Sequence, residues 1–180
     1  NALVNDFIEN FAKFLPDDDD LNPHGPDPFV AFRVKVLVDN GKTKGAPVIF
    51  ESHPTFYRLF GKIERRVEQG IYFTDHTMIQ AGAWLRANGG FLVVHATDVF
   101  ALPGVWETIK TTLRNREAAI EDLGESAGLL PTSGLKPQPI PIAFKLVFIG
   151  SNTLYHMAYR SDDEFRKIFQ VKADFDDEIR

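Results

Sequence analysis

Ala87-Asn88-Gly89-Gly90-Phe91-Leu92-Val93-Val94-His95-Ala96-Thr97-Asp98-Val99-Phe100 is the stretch that decides the fold. Two glycines break a helix, four apolar residues run unbroken, and a short polar cluster follows. A run that apolar predicts a strand buried on both faces, as in the middle of a parallel sheet. Polar residues at the carboxyl end of such a strand sit where open α/β sheets place ligands. The two residues directly at that end are His95 and Ala96.

Working outward, a helix is predicted over Gly104 to Arg116, with Val105, Ile109 and Leu113 on one face. A second unbroken apolar strand, Phe144 to Ile149, ends in Gly150-Ser151-Asn152. Short helices follow over Thr153 to Arg160 and Asp162 to Phe169, then a last strand over Val171 to Phe175. Before the central strand, Thr77 to Ala87 reads as a helix interrupted by Gly82, and residues 62–76 as an exposed loop. Pro54 to Phe60 reads as a short helix, with Pro54 suited to its first turn and Gly61 ending it. Ala118 to Ile120 reads as a short strand and residues 121–142, rich in Gly and Pro, as a long loop or hairpin.

Nearer the amino terminus, Leu3, Val4, Phe7, Ile8, Phe11, Phe14 and Leu15 recur at helical spacing over residues 3–15. An Asp-, Pro- and Gly-rich linker runs to Pro28. Its four consecutive Asp lack the regular spacing of a calcium loop and read as solvated. Phe29 to Val38 alternates like a strand, Asn40-Gly41 is a hairpin turn signal, and Pro47 to Phe50 is the returning strand. Gly41-Lys42-Thr43 is not a phosphate-binding loop. The earlier glycine of that pattern is replaced by Val36, and Lys44-Gly45-Ala46-Pro47 cannot open the helix that would hold phosphate.

The chain has 180 residues, 44% hydrophobic and 25% charged, which suits one sizeable core. A net charge of -5 argues against non-specific nucleic-acid binding. With no cysteine, disulfides and thiolate metal sites are excluded, and a reducing, cytoplasmic setting is expected. No apolar run approaches the ~20 residues of a membrane span, and no signal peptide is read at the amino terminus. A start at Asn1-Ala2 reads as a cloning remnant on an excised segment.

Several segments together carry a family resemblance. Gly45-Ala46-Pro47-Val48-Ile49-Phe50-Glu51 and His53-Pro54-Thr55-Phe56-Tyr57-Arg58-Leu59-Phe60-Gly61-Lys62-Ile63-Glu64 are two of them. Ala81-Gly82-Ala83-Trp84-Leu85-Arg86-Ala87-Asn88-Gly89-Gly90-Phe91-Leu92 and Phe165-Arg166-Lys167-Ile168-Phe169-Gln170-Val171-Lys172-Ala173-Asp174-Phe175 are the others. From about Phe29 onward the chain resembles the LonB-like ATP-dependent proteases. The resemblance implies an α/β fold, a partial AAA+ (P-loop NTPase-like) core with a central, mostly parallel sheet and flanking helices. The phosphate-loop segment and the small helical lid are lacking. Residues 1–28 would be the end of a helical insertion plus an acidic linker, and residues 29–180 the partial ATPase domain.

The resemblance also implies a homo-oligomer, a hexamer, that unfolds protein substrates with ATP and Mg and cleaves them with a Ser-Lys dyad. No motif of that dyad is present, so no catalytic residue is assigned, and the segment is expected to be inactive alone and to hold no cofactor by itself. An alternative is a degenerate, non-hydrolysing AAA+-like scaffold for assembly or substrate recognition. His95 and Ala96 fall on the Walker-B positions, where an Asp orients magnesium and a Glu positions water. Alanine can do neither, and imidazole is a poor magnesium ligand. Asp98 is the nearest carboxylate in sequence. The altered pair implies weak nucleotide binding or poor hydrolysis, against the reading that His95 does no chemistry.

Ser151 or Asn152 matches the sensor-1 position that touches the γ-phosphate or its water, or else caps the next helix. Arg166 matches the arginine finger that reaches a neighbouring subunit's nucleotide, or is a surface residue. Tyr72, Phe73, Met78 and Ile79 fall near the family's substrate-gripping pore loop, or pack on their own domain. His24, His53, His76 and His156 show no metal spacing.

Overall fold

The computed structural model of the chain describes residues 2–11, 29–68, 71–121 and 135–175. At its centre is a three-stranded parallel sheet of β1 (Val48–Glu51), β6 (Phe91–His95) and β9 (Lys145–Ile149), in the order β1-β6-β9. Val93 sits between Phe50 and Val147, and His95 beside Ile149. The Phe91 stretch is thus the middle strand, as its sequence predicts.

Its burial is one-sided, which corrects the expectation of two covered faces. Leu92 and Val94 are fully buried, while Phe91 stays 41% exposed. Val48, Phe50, Val147 and Ile149 on the neighbouring strands share that open face by register and are exposed too. The covered face packs against α3 (Ala83–Arg86), α4 (Ala96–Ala101) and α5 (Val105–Asn115), burying Trp84, Val99, Val105 and Ile109. Each such side chain contributes roughly 1.5–3 kcal/mol relative to exposure.

Local chemistry fixes the start of β6. A Cβ on Gly90 would overlap the Pro47 carbonyl oxygen, which accepts the Phe91 N–H at 2.8 Å. Only glycine lets β1 and β6 begin this close together. Asn88 then ties in the third strand: its Oδ1 accepts from Ala143 N at 2.7 Å, and its Nδ2 donates to the Pro141 carbonyl at 3.1 Å.

Several further sequence expectations are redrawn. Phe29 to Val38 is no strand: Val30–Phe32 forms a 3-10 turn, and Val34 is 89% exposed with no strand beside it among the described residues. Alternating valines give β propensity, but a strand needs a partner. The Asn40-Gly41 turn does form, with Thr43 N donating to Asn40 O, yet β1 pairs in parallel with β6 instead of returning. Residues 62–76 are not a loop. They form β2 (Lys62–Ile63), β3 (Arg66–Glu68) and β4 (Ile71–Phe73). Thr77 to Ala87 splits into a 3-10 turn at His76–Met78, β5 (Ile79–Gln80) and α3. β5 pairs with β2, and β3 pairs with β4. No helix runs through Gly82, which is extended as the N-cap of α3, and a Cβ there would overlap the Leu59 carbonyl oxygen.

Val171 to Phe175 pairs with no strand and leaves Val171 and Phe175 exposed, so the predicted last strand is absent among the described residues. The remaining elements match more closely. α1 (Ala2–Glu9) sets Phe7 edge-on to Phe32 at 5.9 Å, while residues 12–28, with the acidic linker, lie outside the described residues. α2 (Phe56–Phe60) is capped by Thr55, so Pro54 precedes the cap, and Gly61 closes the helix as expected. β7 (Glu117–Ala118) pairs with β8 (Ile140–Pro141), and residues 122–134 of the expected long loop are outside the described set. α6 (Asn152–Ser161) and α7 (Asp163–Ile168) complete the fold.

Trp84 stacks on Phe60 at 5.2 Å and meets Phe144 edge-on at 4.7 Å. Its buried Nε1 finds no acceptor among the described residues. An orphaned buried N–H costs about 1–3 kcal/mol. Trp84→Phe removes the orphan and keeps the ring contacts, so its stability stays within about 1 kcal/mol of the parent, whereas Trp84→Ala loses about 3–5 kcal/mol. Urea unfolding midpoints check both.

Candidate functional site

The three parallel strands end on one edge, at Glu51, His95 and Ile149. α4 starts at Ala96 with no linker, so His95 is its N-cap residue, and its side chain makes no capping bond. The imidazole is half-buried and meets Phe50 edge-on at 5.5 Å, on the open side of the sheet. Asp98 lies in the first turn of α4, where a carboxylate complements the helix dipole.

A cavity of about 130 Å³ opens beside these ends, lined by Ala96, Ser151, Asn152, Phe148, Lys172 and Asp174 among others. A Cβ on Gly150 would lie 3.3 Å from the Ala96 methyl, so the bare glycine lets β9 end against α4. Ser151 Oγ accepts from Leu154 N at 3.2 Å and caps α6. Its hydroxyl proton is left to donate. Asn152 Oδ1 accepts from Lys172 Nζ at 2.7 Å, and Lys172 also pairs with Asp174 at 2.8 Å and lies 4.8 Å over the Tyr155 ring.

The structure therefore gathers Ala96, Ser151 and Asn152 around one cavity, while His95 and Asp98 do not line it and the His95 ring turns to Phe50 on the open face of the sheet. Arg166 does not line that cavity. It stands on α7, ion-paired with Asp163, with its guanidinium 5.5 Å from the Tyr159 ring. Tyr72 and Phe73 stand exposed on β4. Met78 and Ile79, grouped with them in sequence, are each 8% exposed and face the core, because β2 and β5 pair beneath the hairpin.

Magnesium prefers oxygen ligands. Among the described residues no group of three or more His, Asp or Glu is placed to hold a metal ion. At the end of β6 stand an imidazole and a methyl, and the cavity's carboxylate, Asp174, is committed to Lys172. The described donor set does not fit magnesium.

Several features escaped the sequence reading. Glu51 is 7% exposed and lies between Arg58 and Arg86, each at 3.2 Å, while accepting from His53 N. A buried carboxylate is tolerated only with such partners, and this one pins α2 and α3 to the end of β1. Nothing in local sequence pairs residues so far apart. The β3–β4 hairpin had a signal: two short apolar-bearing runs flank Gln69-Gly70. Ser52 Oγ and His53 Nδ1 are 3.0 Å apart. Glu51 takes the backbone N–H of His53, not its ring, so the pair lacks the orienting group of a nucleophile and base.

The position of Arg166 depends on Asp162, where α6 meets α7. Asp162 accepts from Trp106 Nε1 at 2.8 Å, from Lys110 Nζ at 3.0 Å, and from the N–H groups of Glu164 and Phe165. Burial alone would raise its pKa, but these four donors outweigh it and push the carboxyl down to about 2.

Residues 44–176 match the family described as LonB-like, AAA domain. No curated protein matches the chain.

A depressed carboxyl pKa stabilises the fold fully above the unfolded value, near 4, and that contribution is lost as pH falls through 2. Asp162→Asn should therefore cost on the order of 2 kcal/mol at pH 7. Most of the difference from the parent should vanish by pH 2. Urea midpoints measured at both pH values check the size and the sign.

Proposed function

The chain belongs to the LonB-like AAA domain family, and from that premise we propose that it is part of the ATPase module of a Lon-type, ATP-dependent protease. In this reading the module unfolds and translocates protein substrates within a homo-oligomer, a hexamer, in the cytoplasm. The serine peptidase centre with its Ser-Lys dyad lies elsewhere in that machine, and this segment is inactive alone. AAA domains commonly oligomerise and act on proteins, and as a family bind ATP with Mg.

The observation that carries the reading is the parallel row β1-β6-β9 ending in Gly150-Ser151-Asn152, followed by the α6–α7 pair bearing Arg166. Each part has a role in it. Ser151 and Asn152 would report on a terminal phosphate by hydrogen bonding. Arg166, half-exposed on α7, would leave Asp163 to reach a neighbouring subunit's nucleotide. Tyr72 and Phe73 would grip substrate by apolar contact, and Met78 and Ile79 would support them from below. His95 and Asp98 would border the nucleotide without binding its metal.

A second reading is favoured by His95 and Ala96 themselves: a non-hydrolysing scaffold for assembly or substrate recognition. The two readings differ in nucleotide turnover. In the full-length assembled protein, the first predicts ATP hydrolysis, and Arg166→Ala should lower its rate by ~10³-fold. Binding of ATP without turnover, or no binding by calorimetry, would instead select the scaffold. Hydrolysis that Arg166→Ala leaves untouched would remove the finger assignment alone.

A further inference from the structure

The open face of the central sheet is apolar from one end to the other. Successive side chains on a strand point to opposite faces. Register therefore sets Val48, Phe91 and Lys145 in one row of that face and Phe50, Val93 and Val147 in the next, followed by His95 and Ile149. Parallel sheets are as a rule covered on both faces, and an exposed apolar patch of this kind marks a contact. The chain carries a second uncovered apolar stripe. On α1 and the turn after it, Val4, Ile8 and Phe11 recur at helical spacing, and each is more than half exposed. The two faces match in length. The eight residues of α1 rise about 12 Å, and the five of β6 about 16 Å.

Charge divides in the same way. Lys145 is the one formal charge among the strand residues of the open face, since Glu51 lies in register with Val94 on the covered side. α1 holds Asp6 and Glu9 and no basic residue. Among the described residues neither Lys145 nor Glu9 has an ion-pair partner. We propose that the open face is a docking surface for α1 of a second copy of this chain. Within one chain neither apolar face covers the other, and Phe7 holds α1 against Phe32. A second copy covers the sheet with Val4, Ile8 and Phe11 while that ring contact stays intact, so neither element has to rearrange. Glu9, beside Ile8 on the flank of the stripe, supplies the carboxylate for Lys145. The contact is separate from the proposed reach of Arg166 and needs no nucleotide, so either can fail alone.

The test is sedimentation of the chain over a range of concentrations, without nucleotide, at low and high salt. The parent should associate reversibly. Ile8→Asn and Phe50→Thr should each weaken association about tenfold, the loss of roughly one apolar contact. Lys145→Glu should weaken it about threefold at low salt and hardly at all at high salt. Val67→Ser, on the exposed hairpin, should leave it unchanged. The double variants Val4→Asn/Ile8→Asn and Phe50→Thr/Val147→Thr should each be monomeric where the parent associates. An equimolar mixture of the two should recover a one-to-one complex, because one keeps its sheet and the other its helix. Should circular dichroism show that a sheet variant does not fold, the helix variants and Lys145→Glu decide. A parent that stays monomeric at every concentration overturns the proposal and assigns the face to α1 of its own chain or to another partner. Association that the α1 variants leave intact overturns it too, and both results leave the proposed function standing.

Discussion

Parallel pairing of β6 with a neighbour on each side is the constraint from which the rest of the chain takes its place. Parallel strands cannot be joined by tight turns, so each connection must cross over the sheet. Those crossovers are the helices that bury Leu92 and Val94. Because all three strands run the same way, their carboxyl ends fall on one edge. Ser52, Ala96 and Ser151, remote in sequence, become neighbours of one edge for that reason alone. The one-sided cover follows too. The described helices between these strands pack on the face of Leu92, and the face of Phe50, Phe91 and Val147 is left open.

What could be read in the sequence divides along the range of the forces involved. β6, β9 and α5 were legible because their apolar runs and spacings are strong local signals, and Gly90 marked a point where backbone meets backbone. The segment after Val30 was misread because alternation reports a preference, while a partner strand lies far along the chain. The hairpin at Arg66–Phe73 was passed over because its strands hold three residues each. A burial pattern needs more length than that to stand out.

The site shows the same division. His95 and Ala96 were legible as a departure from the acidic pair, because residue identity at a strand end needs no tertiary information. The grouping of Tyr72, Phe73, Met78 and Ile79 was legible only as proximity. Pairing decides which of them reaches solvent, and it sends the last two inward. The anchors at Glu51 and Asp162 were invisible, since their partners Arg86 and Trp106 lie dozens of residues away. Both work in the same way. A carboxylate that would be costly when buried becomes a joint once several donors from different elements converge on it.

The short β2–β5 pair gains a mechanical meaning from its place under the hairpin. Both stems of the β3–β4 ribbon leave the domain through it, and Ile63 and Ile79, opposite each other in that pair, are both sunk in the core. The two isoleucines are therefore the footing of the ribbon: whatever happens along β3 and β4, both of their roots are held in the same core that supports the central sheet.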